Sequence, residues 1–148
     1  MTPLEAITTW AAPLRTHAWA YPALEVLHIF GIALVIGNLV LFELRVWGLG
    51  KALPINDLAR LSLTLAVCGF TLAAMTGLTM FVAQAADLIG NRAFLLKMVL
   101  LFFAGTNAAI FHARASLSKL DGLAKLQTLL SMFIWIAVMA LGRAIAYL

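Results

Sequence analysis

Charge is what this 148-residue sequence has least of. Asp, Glu, Lys and Arg make up 11% of it, against about 25% in a soluble domain. Hydrophobic residues make up 64% and the mean hydropathy is +1.04. That excludes a disordered chain, and a soluble globule would expose a large oily surface. Cysteine is scarce too. Cys68 is alone in an apolar run, so no intrachain disulfide can form. No C-x-x-C-H or C-x-x-C occurs, which excludes c-type haem attachment and a zinc site of that pattern. The first twenty residues lack a basic stretch before an unbroken apolar core, so no cleavable signal peptide is expected.

What remains reads as an all-α integral membrane four-helix bundle, a single transmembrane domain over 1–148 with a short N-terminal amphipathic interfacial helix. Four apolar segments, at about 22–44, 58–86, 93–113 and 123–147, each reach the roughly 20 residues needed to cross hydrocarbon. Gly48, Gly50 and Pro54 separate the first two. Asp87, Gly90 and Asn91 separate the next two. Ser116, Ser118 and Asp121 precede the last. Continuous rather than alternating apolar runs argue against a β-barrel. Over 2–20, Thr2 and Glu5 form a capping-box pattern around Pro3, and Leu4, Ile7, Trp10, Ala11 and Leu14 recur at helical spacing. Trp10, Trp19 and Tyr21 suit the headgroup level.

The net charge of +4 does not point to nucleic acid, because the basic residues sit at the ends of apolar runs. Arg45, Lys51 and Arg60 follow the first span; Arg114, Lys119 and Lys125 follow the third. The opposite side has Arg15 and Arg92. The richer side is expected to be cytoplasmic, with both termini periplasmic in a bacterial inner membrane.

Ionisable groups inside a span are costly and mark functional candidates. At about 1.5 Å per residue, His28 lies about 9 Å from the outer start of span 1, Lys97 about 6 Å deep, and Met80 and Arg143 about 6–10 Å deep. These four can share one layer in the outer half. His112 lies about 28 Å along its span and cannot join them. Such a layer suits a b-type haem: His28 as axial ligand, Met80 or Lys97 opposite it, and Arg143 neutralising a propionate. Each has a plainer reading. His28 can be a hydrogen-bonded packing residue, Lys97 and Arg143 can snorkel to the interface, and Met80 can fill the core. Glu43 with Arg45, and His112 with Arg114, read as decoration of the cytoplasmic edge or as a proton-entry group. Asn38 and Asn107 are expected to hydrogen-bond between helices.

The stretches Leu24-Glu25-Val26-Leu27-His28-Ile29-Phe30-Gly31, Asn91-Arg92-Ala93-Phe94-Leu95-Leu96-Lys97, Asn107-Ala108-Ala109-Ile110-Phe111-His112 and Gly142-Arg143-Ala144-Ile145-Ala146-Tyr147 resemble an uncharacterised bacterial family of small four-helix membrane proteins. The chain is more distantly similar to HemJ-type protoporphyrinogen oxidases and to CopD-like membrane domains. HemJ proteins are associated with haem b, and have a His in the first span and a Lys in a later one. His28 and Lys97 match those positions. The chain departs from that family in lacking a Trp and a Pro-Arg signature after the His.

The leading expectation is a haem b protein, either an electron carrier or a membrane oxidoreductase, working between quinone in the lipid and a periplasmic redox partner. The alternatives are a cofactor-free membrane subunit or small proton-conducting transporter, and a periplasmic-side copper handler using His17, His28 and Met80. Glycine-bearing helix faces lead us to expect a homo-oligomer.

Overall fold

The computed structural model describes Thr9, Pro13 and residues 17–147. The interfacial helix expected over 2–20 falls outside the described residues, apart from Thr9, Pro13 and 17–20. The described chain is helical, without strands. Four long helices, α1 (Ala20–Val46), α2 (Ile55–Ala83), α4 (Arg92–Ala113) and α6 (Gly122–Ala144), alternate with two short ones, α3 (Ala85–Ile89) and α5 (Ser116–Lys119). The long ones are apolar and long enough to cross a membrane; the shortest has 22 residues, a rise of about 33 Å. This is a multi-pass membrane protein.

The helix ends follow local chemistry. Pro54, with φ of −59°, leads into α2, where its missing N–H costs nothing. Asn91 caps α4, its side chain accepting from Phe94 N at 3.1 Å. Asp121 does the same for α6, accepting from Ala124 N at 2.8 Å. Gly48 and Gly50 have φ of +100° and +63°, conformations that glycine adopts without a Cβ penalty. They turn the chain between α1 and α2. The second span stops at Ala83 rather than running to 86, because the backbone breaks at Gln84 and restarts as α3. Gln84 is tied instead to Tyr21, its Nε2 donating to the phenol oxygen at 2.8 Å.

The bundle is two tight pairs. α1 packs along α2, and α4 along α6; α1 also touches α6, whereas α2 and α4 scarcely meet. Gly31, Gly69, Ala66 and Ala73 are buried between α1 and α2, where small residues let backbones approach. Ala104, Ile134 and Val138 fill the α4–α6 seam.

One end of the bundle, here the loop end, carries residues 47–54 and 114–121. Phe42, Val46, Ala59, Phe111 and Ala124 cluster there, with Phe42 edge-on to Phe111 at 5.8 Å. At the other, terminal end, Phe81 stacks on Phe94 at 5.3 Å and Asn91 Nδ2 reaches Ile145 O at 3.5 Å. Leu61, Val67, Leu78, Phe102 and Phe133 are each more than 60% exposed. An outer surface of that kind is stable against lipid and costly against water.

Candidate functional site

Two polar places sit inside this apolar body, one in each half. In the half toward the terminal end, α1 presents His28 to α2. His28 Nδ1 lies 2.8 Å from Ala73 O and 3.0 Å from Thr76 Oγ1. A carbonyl oxygen can only accept, so Nδ1 is the donor. In the neutral ring the Nε2 lone pair then faces away from that bond. Thr76 Oγ1 itself donates to Leu72 O at 2.8 Å. The imidazole rests on Gly77: a Cβ there would come within 3.0 Å of His28 Cε1.

Lys97, half-buried on α4, points its ammonium at α6, 3.7 Å from where a Cβ on Gly142 would stand. Met80 is half-buried one helical turn beyond Thr76. Arg143 is exposed and turned to its own helix end. It donates to Tyr147 Oη at 2.6 Å, with its guanidinium carbon 5.0 Å from the ring centre. Of the four residues expected in one layer, His28 and Lys97 are both half-buried, His28 against α2 and Lys97 toward α6. Met80 stands on α2 a turn away, and Arg143 is held by Tyr147.

The other place is a cavity of about 290 Å³ in the half toward the loop end. It occupies the gap that α2 and α4 leave. Its walls are mainly apolar, with Phe70 set edge-on to Trp135 at 6.3 Å. Glu43 lines it and is 2% exposed. Ser131 stands beside the carboxyl, and Oε2 has no hydrogen-bond partner. Among the described residues it is the buried side-chain polar atom left unsatisfied. Glu43 also lines a second space of about 90 Å³ between α1 and α6. His28 lines neither.

Asn107, His112, Gln127 and Thr128, which also line the cavity, are engaged. Asn107 Nδ2 donates to Gln127 O at 2.9 Å, joining α4 to α6 as expected. Asn38 differs from expectation: its amide donates to Leu34 O of its own helix at 2.8 Å, within reach of a short side chain four residues on. Trp47 Nε1 donates to Thr128 Oγ1 at 2.8 Å. Arg114 donates to Ser116, Gln127 and Asp121, pairing with the last at 3.0 Å. Outside the spans, the Ala124 N–H bond, with Arg114 beside it, holds the Asp121 carboxyl below its ordinary value of 3.8. His112 is exposed, its Nδ1 2.9 Å from Ala108 O, and reaches the cavity lining.

The sequence reading placed Glu43 at the membrane edge. α1 runs on to Val46 and Trp47 is tied to α6, so Glu43 is a full turn inside. A signal existed. Glu43 is four residues from Leu39 and three from Val46, on the face that also carries Val35 and Phe42.

Comparison with known proteins gives no matching family, no matching curated protein and no matching solved structure. Among the described residues no three His, Cys, Asp or Glu side chains come together as a metal-ion cluster.

Proposed function

We propose that this multi-pass membrane protein holds a b-type haem through His28 and serves membrane electron transfer. The observation supporting this reading is the hydrogen bond from His28 Nδ1 to Ala73 O. It fixes the tautomer and ring direction, the same support that metal-bound imidazoles receive. The residues fit the group by donor chemistry. His28 would supply one nitrogen to hold it, with the Lys97 amine or the Met80 thioether as a second donor. The Lys97 charge would otherwise balance a propionate. Haem, when bound, supplies one-electron redox chemistry at iron. The chain's own part is to orient the imidazole, keep a cation close to it and exclude water with apolar helices. A bacterial inner membrane with both termini periplasmic, and a homo-oligomer, belong to the same proposal.

The test is an optical spectrum of the detergent-purified protein, oxidised and then reduced with dithionite. A Soret band that sharpens into α and β bands on reduction, and that His28→Ala removes, is the expected result. An unchanged spectrum in His28→Ala would overturn His28 as ligand.

A second reading, a cofactor-free proton-handling subunit, is favoured by one observation: the 290 Å³ cavity and its unpartnered acid lie in the half away from His28. A colourless protein that takes up no added haemin is the outcome it requires.

A further inference from the structure

We infer that the cavity between α2 and α4 binds a lipid-soluble molecule of the quinol class, with one ring hydroxyl donating to Glu43 Oε2. This site does not rest on haem at His28; the cavity and the imidazole have no lining residue in common.

Volume sets the size of the occupant. An apolar cavity of about 150 Å³ accommodates benzene, so 290 Å³ takes one substituted ring. Wall chemistry sets its character. Phe42, Phe70, Phe111 and Trp135 surround the space, which suits an aromatic ring. Access sets where it comes from. Val67 and Phe70 on α2, and Gly105 and Ala108 on α4, line the cavity and are exposed on the apolar outer surface. The helices scarcely meet there, so the mouth opens sideways toward lipid.

The head group follows from Glu43. Its Oε2 is closed off and without a donor; such a group costs free energy until it gains one, and a turn of the carboxyl about its last bond would bring it to the ligand. Asn107, Gln127 and Thr128 are satisfied by one another's helices or by neighbours. A bilayer acyl chain would fill the volume and leave Oε2 unsatisfied. A hydroxyl on a ring fills both needs, which also distinguishes a quinol from a plain hydrocarbon.

The test is calorimetric titration of the protein in lipid nanodiscs with a short-chain alkyl-hydroquinone and with its dimethyl ether, empty nanodiscs being subtracted. The ether has the same ring and no donor. The wild-type protein should bind the hydroquinone at least about tenfold more tightly, the scale of one hydrogen bond to a buried carboxyl. Glu43→Leu should remove that discrimination. Gly105→Phe should abolish binding of both compounds, since a Cβ at Gly105 meets nothing within 4 Å and the ring would occupy the mouth. This variant leaves Glu43 in place, so it tests the site even if Glu43→Leu does not fold. Equal binding of the two compounds would show that only acyl-like filling occurs and would overturn the proposal. So would binding of neither, discrimination retained in a folded Glu43→Leu, or undiminished binding in Gly105→Phe. A colourless protein that still discriminates would fail the haem reading alone.

Discussion

Gly31 on α1 and Gly69 on α2 meet backbone to backbone. A Cβ on Gly31 would stand 2.8 Å from Gly69 O and from Ala73 N; one on Gly69 would stand 2.7 Å from Gly31 O. These obstacles are main chain, joined at Gly69 by Leu34 Cβ at 2.6 Å, which the backbone fixes, so none can swing aside. Gly31→Ala and Gly69→Ala should each destabilise by about 1–3 kcal/mol, the usual range for overpacking. Gly37 has nothing within 4 Å of its would-be Cβ, so Gly37→Ala should be neutral or stabilising. Thermal unfolding of all three in one detergent checks this; equal effects would contradict the close approach.

The His28 ring faces a softer obstacle at Gly77, because a side chain can move. In Gly77→Ala the imidazole should shift by a few tenths of an ångström and lengthen its bond to Ala73, with helicity intact. Isotope-labelled imidazole NMR reads this directly. In the wild type the neutral ring should carry its proton on Nδ1, and in Gly77→Ala the Nδ1 signal should move most. A proton found on Nε2 would contradict the bond to Ala73 O.

Trp47 gains its indole partner from Thr128, which is 3% exposed. Thr128→Val keeps the shape and removes the acceptor. Leaving a donor unsatisfied costs about 1–3 kcal/mol when it is buried; the partly exposed Trp47 should lose toward the lower figure. The midpoint of unfolding should fall and Trp emission should change. An unchanged midpoint would show that the loop-end contact is held by apolar packing alone.

Asp121 gives a pH dependence with a definite sign. Its folded carboxyl titrates below the ordinary 3.8, first because of the Ala124 N–H bond and then because of Arg114. The stability it lends is therefore complete above the ordinary value and is lost as pH falls through the depressed one. Asp121→Asn should lower the melting temperature at neutral pH. The difference from wild type should close on acidification into the depressed range. A gap that stays constant with pH would rule out the charge as its source.

Glu43 predicts the opposite sense. A buried acid oxygen without a partner is destabilising, so Glu43→Leu should raise the unfolding midpoint in ligand-free detergent, by about 1–3 kcal/mol. An acid placed at a cost in stability fits a role in binding. A lower midpoint in Glu43→Leu would show that the surroundings already compensate the carboxyl.

The membrane spans were legible because apolar runs of this length have few other solutions. Their ends followed Pro54, Asn91 and Asp121 within a few residues. Pairing was not legible. Gly31 and Gly69 stood among glycines such as Gly37 and Gly105, and nothing in composition separates a glycine that packs from one that faces open space. His28 and Lys97 could be placed at one depth by counting residues. Arg143 shared that depth too, but depth does not fix azimuth, and its side chain went to Tyr147. Glu43 was obscured for a related reason: the expected span stops at 44 and the helix runs on to Val46, and those two residues decide whether the acid reads as the end of a span or as part of its interior.

The arrangement of helices has a mechanical consequence. α1 and α6 form a spine, and α2 and α4 stand as two leaves that part along the opposite edge. Phe81 and Phe94 clasp those leaves at the terminal end. Lateral pressure in the bilayer would act on the unclasped part with leverage. The width of that gap should therefore respond to acyl-chain packing in the surrounding lipid.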